Sequence, residues 1–178
     1  MKPRPLDARR LDVEAFARTG ETLEGSVTLD QLPRLAAERF GHDGLSPLVS
    51  WRAEGRWQRQ PGVPERPALS LQARVALPLQ CQRCLAPVPV ELQVDRSFAF
   101  ARDEDEAARL DEASDEDMLV LSRSFDLLEL LEDELILALP LVPRHAECPA
   151  PLLLPQDAPA EDIQRASPFA ALGVLRRG

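Results

Sequence analysis

Two segments in the middle of the chain, residues 69–79 and 88–100, alternate between apolar and polar side chains. A period of two residues is typical of β-strands that bury one face. Only the short stretch Cys81–Pro87 connects the two segments, and two long strands so close in sequence most economically form an antiparallel hairpin. The sequence therefore predicts a β-sheet built around this hairpin.

Shorter patterns on both sides of the hairpin predict the remaining elements. In chain order we expect a short helix capped by Asp12 and ended by Gly20, a strand over 23–29, a helix over 32–40, a strand over 48–53, a short strand over 118–121 and a helix over 127–139. Glu54-Gly55 is typical of a turn. Asp126 with Glu129 three residues later is typical of a helix start, and Pro140 of a helix end.

These elements predict an α+β fold, with an antiparallel β-sheet and flanking short helices in one domain over residues 1–149. A chain of 178 residues with 44% hydrophobic and 29% charged residues is consistent with one folded domain. Residues 150–178 are proline-rich, and we expect a loosely attached tail. Its apolar stretch Pro168–Leu175 is expected to dock as a short helix.

The charge of the chain is concentrated in one segment. The net charge is −9, from 21 basic and 30 acidic residues. Residues 103–117 carry nine of the carboxylates and only Arg109 as a cation, so we expect a flexible acidic insert here. Such a segment either keeps a protein soluble or tethers basic proteins. The nine carboxylates are Asp103, Glu104, Asp105, Glu106, Asp111, Glu112, Asp115, Glu116 and Asp117.

Cysteine spacing supplies a candidate metal site. Cys81 and Cys84 are separated by two residues, and His145 and Cys148 repeat that spacing downstream. Together they form a candidate Cys3His set for zinc, which prefers four such ligands. Two alternatives stay open. The cysteines could be ordinary buried residues, or Cys81 and Cys84 could be a redox pair, although a new strand rather than a helix follows them.

Standard enzyme signatures are absent from the sequence. It contains no glycine-rich phosphate loop, no His-Glu-x-x-His and no Gly-x-Ser-x-Gly, and its two histidines are His42 and His145. We therefore expect a protein that is not an enzyme. The charged start of the chain and the short apolar run Leu135–Val142 predict a cytoplasmic protein without a membrane partner.

Three blocks of sequence together resemble one known family. They are Leu79–Leu85 with its Cys-Gln-Arg-Cys motif, Leu131–His145 with its Glu-Asp-Glu motif and continuation to Cys148, and Ser167–Leu172. They resemble the bacterial YceD family, the large ribosomal RNA subunit accumulation proteins. The resemblance implies a role in the synthesis, processing or stability of 23S ribosomal RNA, and it implies no enzymatic activity.

The charge and the resemblance together suggest how such a role could be performed. An acidic chain is repelled by RNA, so we expect it to bind a basic ribosomal protein or assembly factor, and ribosomal RNA only indirectly or weakly. The expected acidic face combines residues 103–117 with Glu132, Asp133 and Glu134. One alternative is a direct RNA-binding module that uses Arg9, Arg10, Arg176 and Arg177, and another is a thiol oxidoreductase.

Overall fold

The computed structural model describes residues 6–41, 44–59, 65–111 and 117–149. The tail from residue 150 onward, including the predicted docking stretch Pro168–Leu175, lies outside these described residues. No helix within the described ranges is long and apolar enough to cross a membrane.

Five strands form a single sheet in the order in which they occur along the chain. They are β1 (Thr22–Thr28), β2 (Leu48–Gln58), β3 (Arg66–Gln80), β4 (Pro87–Ala101) and β5 (Asp117–Val120). The predicted hairpin is confirmed, because β3 pairs antiparallel with β4 from Ala68 opposite Ala99 to Gln80 opposite Pro87. The α+β class is confirmed as well.

The sheet differs from the expected one at its last strand. The pairs from β1 to β4 are antiparallel, whereas β5 runs parallel to β4. A parallel neighbour requires the chain to cross back between the two strands, usually through a helix. Helix α3 (Glu104–Asp111) lies in this connection. The sequence shows the strand, but its direction depends on that crossover.

Helices pack against the buried side chains of the sheet. Helix α1 (Val13–Thr19) contacts β2 and β3, and α4 (Leu127–Leu137) contacts β3 and β4. Helix α2 (Pro33–Ala37), which follows a 3-10 turn at Leu29–Gln31, packs on α4. The fully buried side chains of the core include Phe16, Leu35, Leu71, Leu77, Phe98, Phe100, Leu127, Leu131 and Leu135.

Two predicted helix caps are confirmed, whereas the helix ends are predicted less well. Asp12 caps α1 and Asp126 caps α4 through side-chain bonds from backbone N–H groups, and Gly20 ends α1 at φ 65°. Helix α2 ends at Ala37 rather than Phe40, because the next two N–H groups, of Glu38 and Arg39, donate to carbonyls three residues back. The Phe40 N–H then donates to the Pro78 carbonyl of β3, at 2.7 Å, so a tertiary hydrogen bond takes this group out of the helical pattern.

The prediction of a turn at Glu54-Gly55 is wrong, because β2 continues through both residues to Gln58. Gly55 is needed for close packing instead. A Cβ atom at this position would lie 2.5 Å from the Phe16 carbonyl oxygen of α1. The glycine therefore lets the helix approach the sheet, which sequence alone cannot distinguish from a turn.

Part of the expected acidic insert is a regular helix. Asp103 accepts a hydrogen bond from the Glu106 N–H at 2.8 Å, and the Glu106 carboxylate accepts one from the Arg102 N–H at 2.8 Å. Carboxylates in the first turn of a helix are stabilised by the helix dipole. The composition that suggested an irregular segment therefore also suits a helix N-terminus. Residues 112–116 lie outside the described ranges.

Candidate metal centre

The tip of the β3–β4 hairpin forms a tight turn that carries two of the cysteines. Cys81 follows the last residue of β3, its N–H donates to the Ala86 carbonyl, and its carbonyl accepts from the Leu85 N–H, both at 2.9 Å. Leu85 closes the turn with φ 60°. This backbone arrangement places the Cys81 and Cys84 side chains on one side of the turn.

The second pair of residues, His145 and Cys148, lies in the segment that follows α4. The Gln82 N–H donates to the Pro143 carbonyl at 2.9 Å, which attaches this segment to the hairpin tip. His145 and Cys148 then follow within five residues. The fold therefore closes the separation of about 60 residues that the sequence leaves between the two motifs.

The four predicted ligands come together in the structure. One candidate ligand atom from each of Cys81, Cys84, His145 and Cys148 lies within 4.8 Å of the others. Cys81 is buried and the other three are half-buried. All three cysteines are free thiols, so no disulfide competes for the sulfur atoms.

His145 is oriented as a metal ligand would be. Its Nε2 lies 3.1 Å from the Pro87 carbonyl oxygen, and its Nδ1 lies 3.4 Å from Cys84 Sγ. Because a carbonyl oxygen can only accept, Nε2 carries the proton and Nδ1 presents its lone pair to the thiols. A backbone carbonyl that holds the second ring nitrogen is the usual support for a metal-binding histidine.

The thiols interact strongly with one another. Burial disfavours ionisation of Cys81, but the backbone N–H groups of Cys84, His145 and Arg83 outweigh it and lower the Cys81 pKa to about 5. Burial, together with the neighbouring Cys84 and Cys81, raises the Cys148 pKa to about 11. The backbone N–H groups thus stabilise the Cys81 thiolate. A negative charge on the Cys148 sulfur is opposed by the neighbouring sulfur atoms unless a cation lies between them.

These ligand types define the metal that would fit. Three thiolates and one imidazole are a common tetrahedral ligand set for Zn²⁺ in structural sites. The redox alternative has less support from the geometry, because Cys81 and Cys84 lie at a strand end, away from the helix N-terminus that activates such pairs. All four residues were predicted from spacing; the supporting Pro87 and Pro143 carbonyls have no sequence signal.

The three carboxylates predicted on α4 make contacts within the chain. Glu132 is 5% exposed and accepts hydrogen bonds from the Arg34 and Leu35 N–H groups at 2.6 and 3.1 Å. Asp133 lies 2.5 Å from the Arg34 guanidinium. Glu134 is 9% exposed and lies 3.7 Å from Arg96. Two of these groups are therefore buried in the protein's own packing and the third pairs with an arginine, which argues against an open acidic face formed by the three.

Arg96 forms ion pairs that were not predicted, although the sequence contains a signal for them. It occupies a position where the alternation of β4 calls for an apolar side chain, and it contacts both Glu134 and Asp117. Burial raises the pKa of Glu134, although the Arg96 charge opposes this effect. An interrupted apolar pattern thus marked an ion-pair site.

The remaining acidic residues lie at the other end of the hairpin. Asp103, Glu104, Asp105 and Asp111 are exposed on or beside α3, Glu106 is half-buried, and Asp117 begins β5. Glu112, Asp115 and Glu116 lie outside the described ranges. None of the described acidic residues of this segment is close to the cysteine site.

The arginines of the RNA-binding alternative are not brought together in the described part of the chain. Arg9 forms an ion pair with Asp126 at 3.6 Å, and Arg10 is exposed. Arg176 and Arg177 lie outside the described ranges.

The fold and the site define an α+β protein with a long hairpin whose tip carries a Cys3His ligand set. A model of the family described as large ribosomal RNA subunit accumulation protein YceD matches residues 69–176. This match covers more than half of the chain, from β3 through the cysteine site and beyond it. The chain belongs to the YceD family.

A relative in Haemophilus influenzae is named large ribosomal RNA subunit accumulation protein YceD. It is 30% identical over 110 residues, which cover 60% of this chain and 63% of the relative. The match therefore spans slightly less than two thirds of that protein's length. No solved structure matches this chain.

Proposed function

We propose that this protein is a non-enzymatic factor that supports the accumulation of large-subunit ribosomal RNA, and that it acts by binding a basic ribosomal protein or assembly factor. The first part rests on family membership and on the name of the Haemophilus relative. The second part rests on the charge of the chain. At a net charge of −9, the protein attracts cationic proteins and is repelled by RNA.

The observation that carries the binding proposal is the exposure of the carboxylates at α3. Glu104 and Asp105 are exposed on the first turn of this helix, and neither forms an ion pair with another described residue. On α4, in contrast, Glu132 and Glu134 are buried and Asp133 pairs with Arg34. We therefore assign partner binding to the segment 103–117 rather than to Glu132–Glu134.

Charge reversal tests this assignment. We expect Glu104→Lys with Asp105→Lys to reduce recovery of a basic ribosomal protein or assembly factor in pull-downs at low salt, because its electrostatic attraction is lost. Asp133→Lys is a poor control since it breaks an ion pair, so Glu91→Lys with Asp95→Lys on the sheet serves as the matched change of charge. Recovery of ribosomal RNA without any basic protein would instead support direct RNA binding.

We also propose that Cys81, Cys84, His145 and Cys148 hold a zinc ion with a structural role. The supporting observations are the convergence of four ligand atoms and the orientation of His145 by Pro87. A bound zinc ion would link the hairpin tip to the chain that follows α4. It would also neutralise the clustered thiolates, which is the usual contribution of such sites.

Elemental analysis tests the zinc proposal. Protein purified without chelator from zinc-replete cells is expected to hold about one equivalent of zinc, and Cys84→Ser or Cys148→Ser is expected to lose most of it. His145→Gln tests the fourth ligand, and Ser97→Ala on the sheet is the control that keeps the metal. Less than about a tenth of an equivalent in the wild-type protein would contradict the proposal.

A further inference from the structure

The surface around the hairpin tip is apolar in a way that the fold does not explain. Leu85 is 62% exposed, Leu141 is fully exposed at 101%, and Val142 is 58% exposed. The Gln82–Pro143 hydrogen bond and the contact between Cys84 and His145 bring these residues to one place. Exposed aliphatic side chains gathered at one end of a molecule are typical of a surface that binds a partner.

A leucine at position 85 is unfavourable in two respects, its backbone conformation and its exposure. Its φ of 60° lies in the left-handed region, where glycine or asparagine would be less strained. Its side chain is also largely exposed to solvent. Neither the backbone conformation nor packing within the described chain favours leucine at this position, which is consistent with a role for its side chain in binding.

Two arginines flank these aliphatic residues. Arg83 lies inside the turn and Arg144 precedes His145, and both are exposed. Neither forms an ion pair with a described residue, whereas Arg34 and Arg96 are engaged by two carboxylates each. Glu147 is the nearest carboxylate along the chain. We call Arg83, Leu85, Leu141, Val142 and Arg144 the tip surface.

The tip surface lies far from the acidic helix α3. Strands β3 and β4 are 15 residues long, and the tip surface and α3 lie at their opposite ends. At about 3.3 Å per residue, these strands separate the two by about 45 Å. Two surfaces of opposite chemistry are thus held apart by a rigid hairpin, which allows two partners to bind at the same time.

We propose that the tip surface binds a second partner protein, through a segment that offers apolar side chains to Leu85, Leu141 and Val142 and carboxylates to Arg83 and Arg144. This proposal goes beyond the binding of a basic partner at α3 and does not depend on it. Exposed aliphatic side chains favour a protein over RNA, because RNA offers them no apolar surface comparable to a protein segment. The chain would then act as an adaptor between two proteins.

Photo-crosslinking in cells identifies the segment. A crosslinking amino acid replaces Leu141 in the full-length chain, and Gln72, exposed on the sheet, is the control position. We expect a protein adduct at position 141 that is absent at position 72, with the crosslinked peptide rich in apolar and acidic residues. An adduct with RNA alone, an adduct with residues 150–178 of this chain or with a second copy of it, or no adduct above the control, would overturn the proposal.

Affinity measurements with the crosslinked peptide then test the chemistry. Leu85→Ala with Leu141→Ala is expected to weaken its binding to the full-length protein by about tenfold or more, as for central apolar contacts in interfaces. Arg83→Glu with Arg144→Glu should weaken it as well, and reversing the peptide's carboxylates to lysine should restore binding. Arg74→Glu on the sheet should leave the affinity unchanged.

The controls separate this proposal from the preceding ones. Each tip variant is first shown to contain the same amount of metal and to unfold at the same temperature as the wild-type protein. The variant Glu104→Lys with Asp105→Lys should retain its affinity for the tip peptide. Unchanged affinity in both tip variants would refute the assigned surface even if α3 binds its basic partner.

Discussion

Gly55 lies in the middle of β2 because helix α1 passes directly over it. An added Cβ atom would meet the backbone carbonyl of Phe16 at 2.5 Å, and a backbone group cannot move aside without shifting the helix. Gly25 is also close to a neighbour, but its added Cβ would meet the Trp51 side chain at 3.1 Å. The two glycine positions therefore differ in how well the surrounding structure can accommodate a methyl group.

We expect Gly55→Ala to lower the free energy of unfolding by about 2 kcal/mol, because overpacking of a rigid contact is destabilising. Gly25→Ala should cost less, since the indole ring can shift. Urea denaturation followed by circular dichroism measures both changes. Equal losses in the two variants would contradict the assigned role of the Phe16 carbonyl.

Helix α2 illustrates how one element depends on another. It has only five residues, and its N-cap Leu32 offers no side-chain hydrogen bond. A helix this short is unstable by itself. The Glu132 carboxylate of α4 instead accepts from two backbone N–H groups at the start of α2 and also binds the Arg34 guanidinium. The capping group thus lies about a hundred residues away in sequence.

Glu132→Ala is expected to destabilise the protein by about 2 kcal/mol or more, because it leaves buried backbone donors without an acceptor. Asp133→Ala removes only an exposed ion pair to the same arginine and should cost less than about 1 kcal/mol. Thermal unfolding compares the two. If Asp133→Ala proved as damaging as Glu132→Ala, the capping interpretation would have to be abandoned.

At the scale of the whole molecule, the cysteine site lies at the edge of the main core, because Cys81 belongs to the core cluster and Cys84 and Cys148 pack against it. Most buried side chains lie between the sheet and helices α1, α2 and α4, and of the four candidate ligands only Cys81 is fully buried. The chain from Pro143 to Cys148 is attached mainly at the hairpin tip, through Gln82 and the site itself. Metal loss should therefore release this segment and leave the sheet folded.

Hydrogen exchange with and without a zinc chelator tests this expectation under reducing conditions. The amides of residues 81–85 and 144–148 should lose protection on chelation, while those of β3 between Leu71 and Val75 should keep theirs, because local opening need not involve the core. The variant Cys148→Ser without chelator should show the same pattern. Loss of protection throughout the sheet would show that the metal is required for the whole fold.

The strands with a long run of alternating apolar and polar residues could be predicted from sequence, and so could the candidate ligands. Alternation alone identified β3 and β4, Asp126 and Gly20 identified a helix start and a helix end, and cysteine spacing identified the site. These signals are local, because each depends on residues a few positions apart. Glu132, Asp133 and Glu134 were assigned to the surface for the same reason: local spacing cannot show that an arginine from another element lies opposite.

The sequence by itself thus determined the hairpin, the class of fold, the candidate ligand set and the overall negative charge. Tertiary structure alone decided the parallel pairing of β5, the reason for Gly55, the burial of Glu132 and Glu134 and the meeting of Cys81 and Cys84 with His145 and Cys148. The physical reason is that propensity and periodicity act between neighbours in sequence, whereas strand direction, close packing and ion pairing depend on groups that only the folded chain brings together.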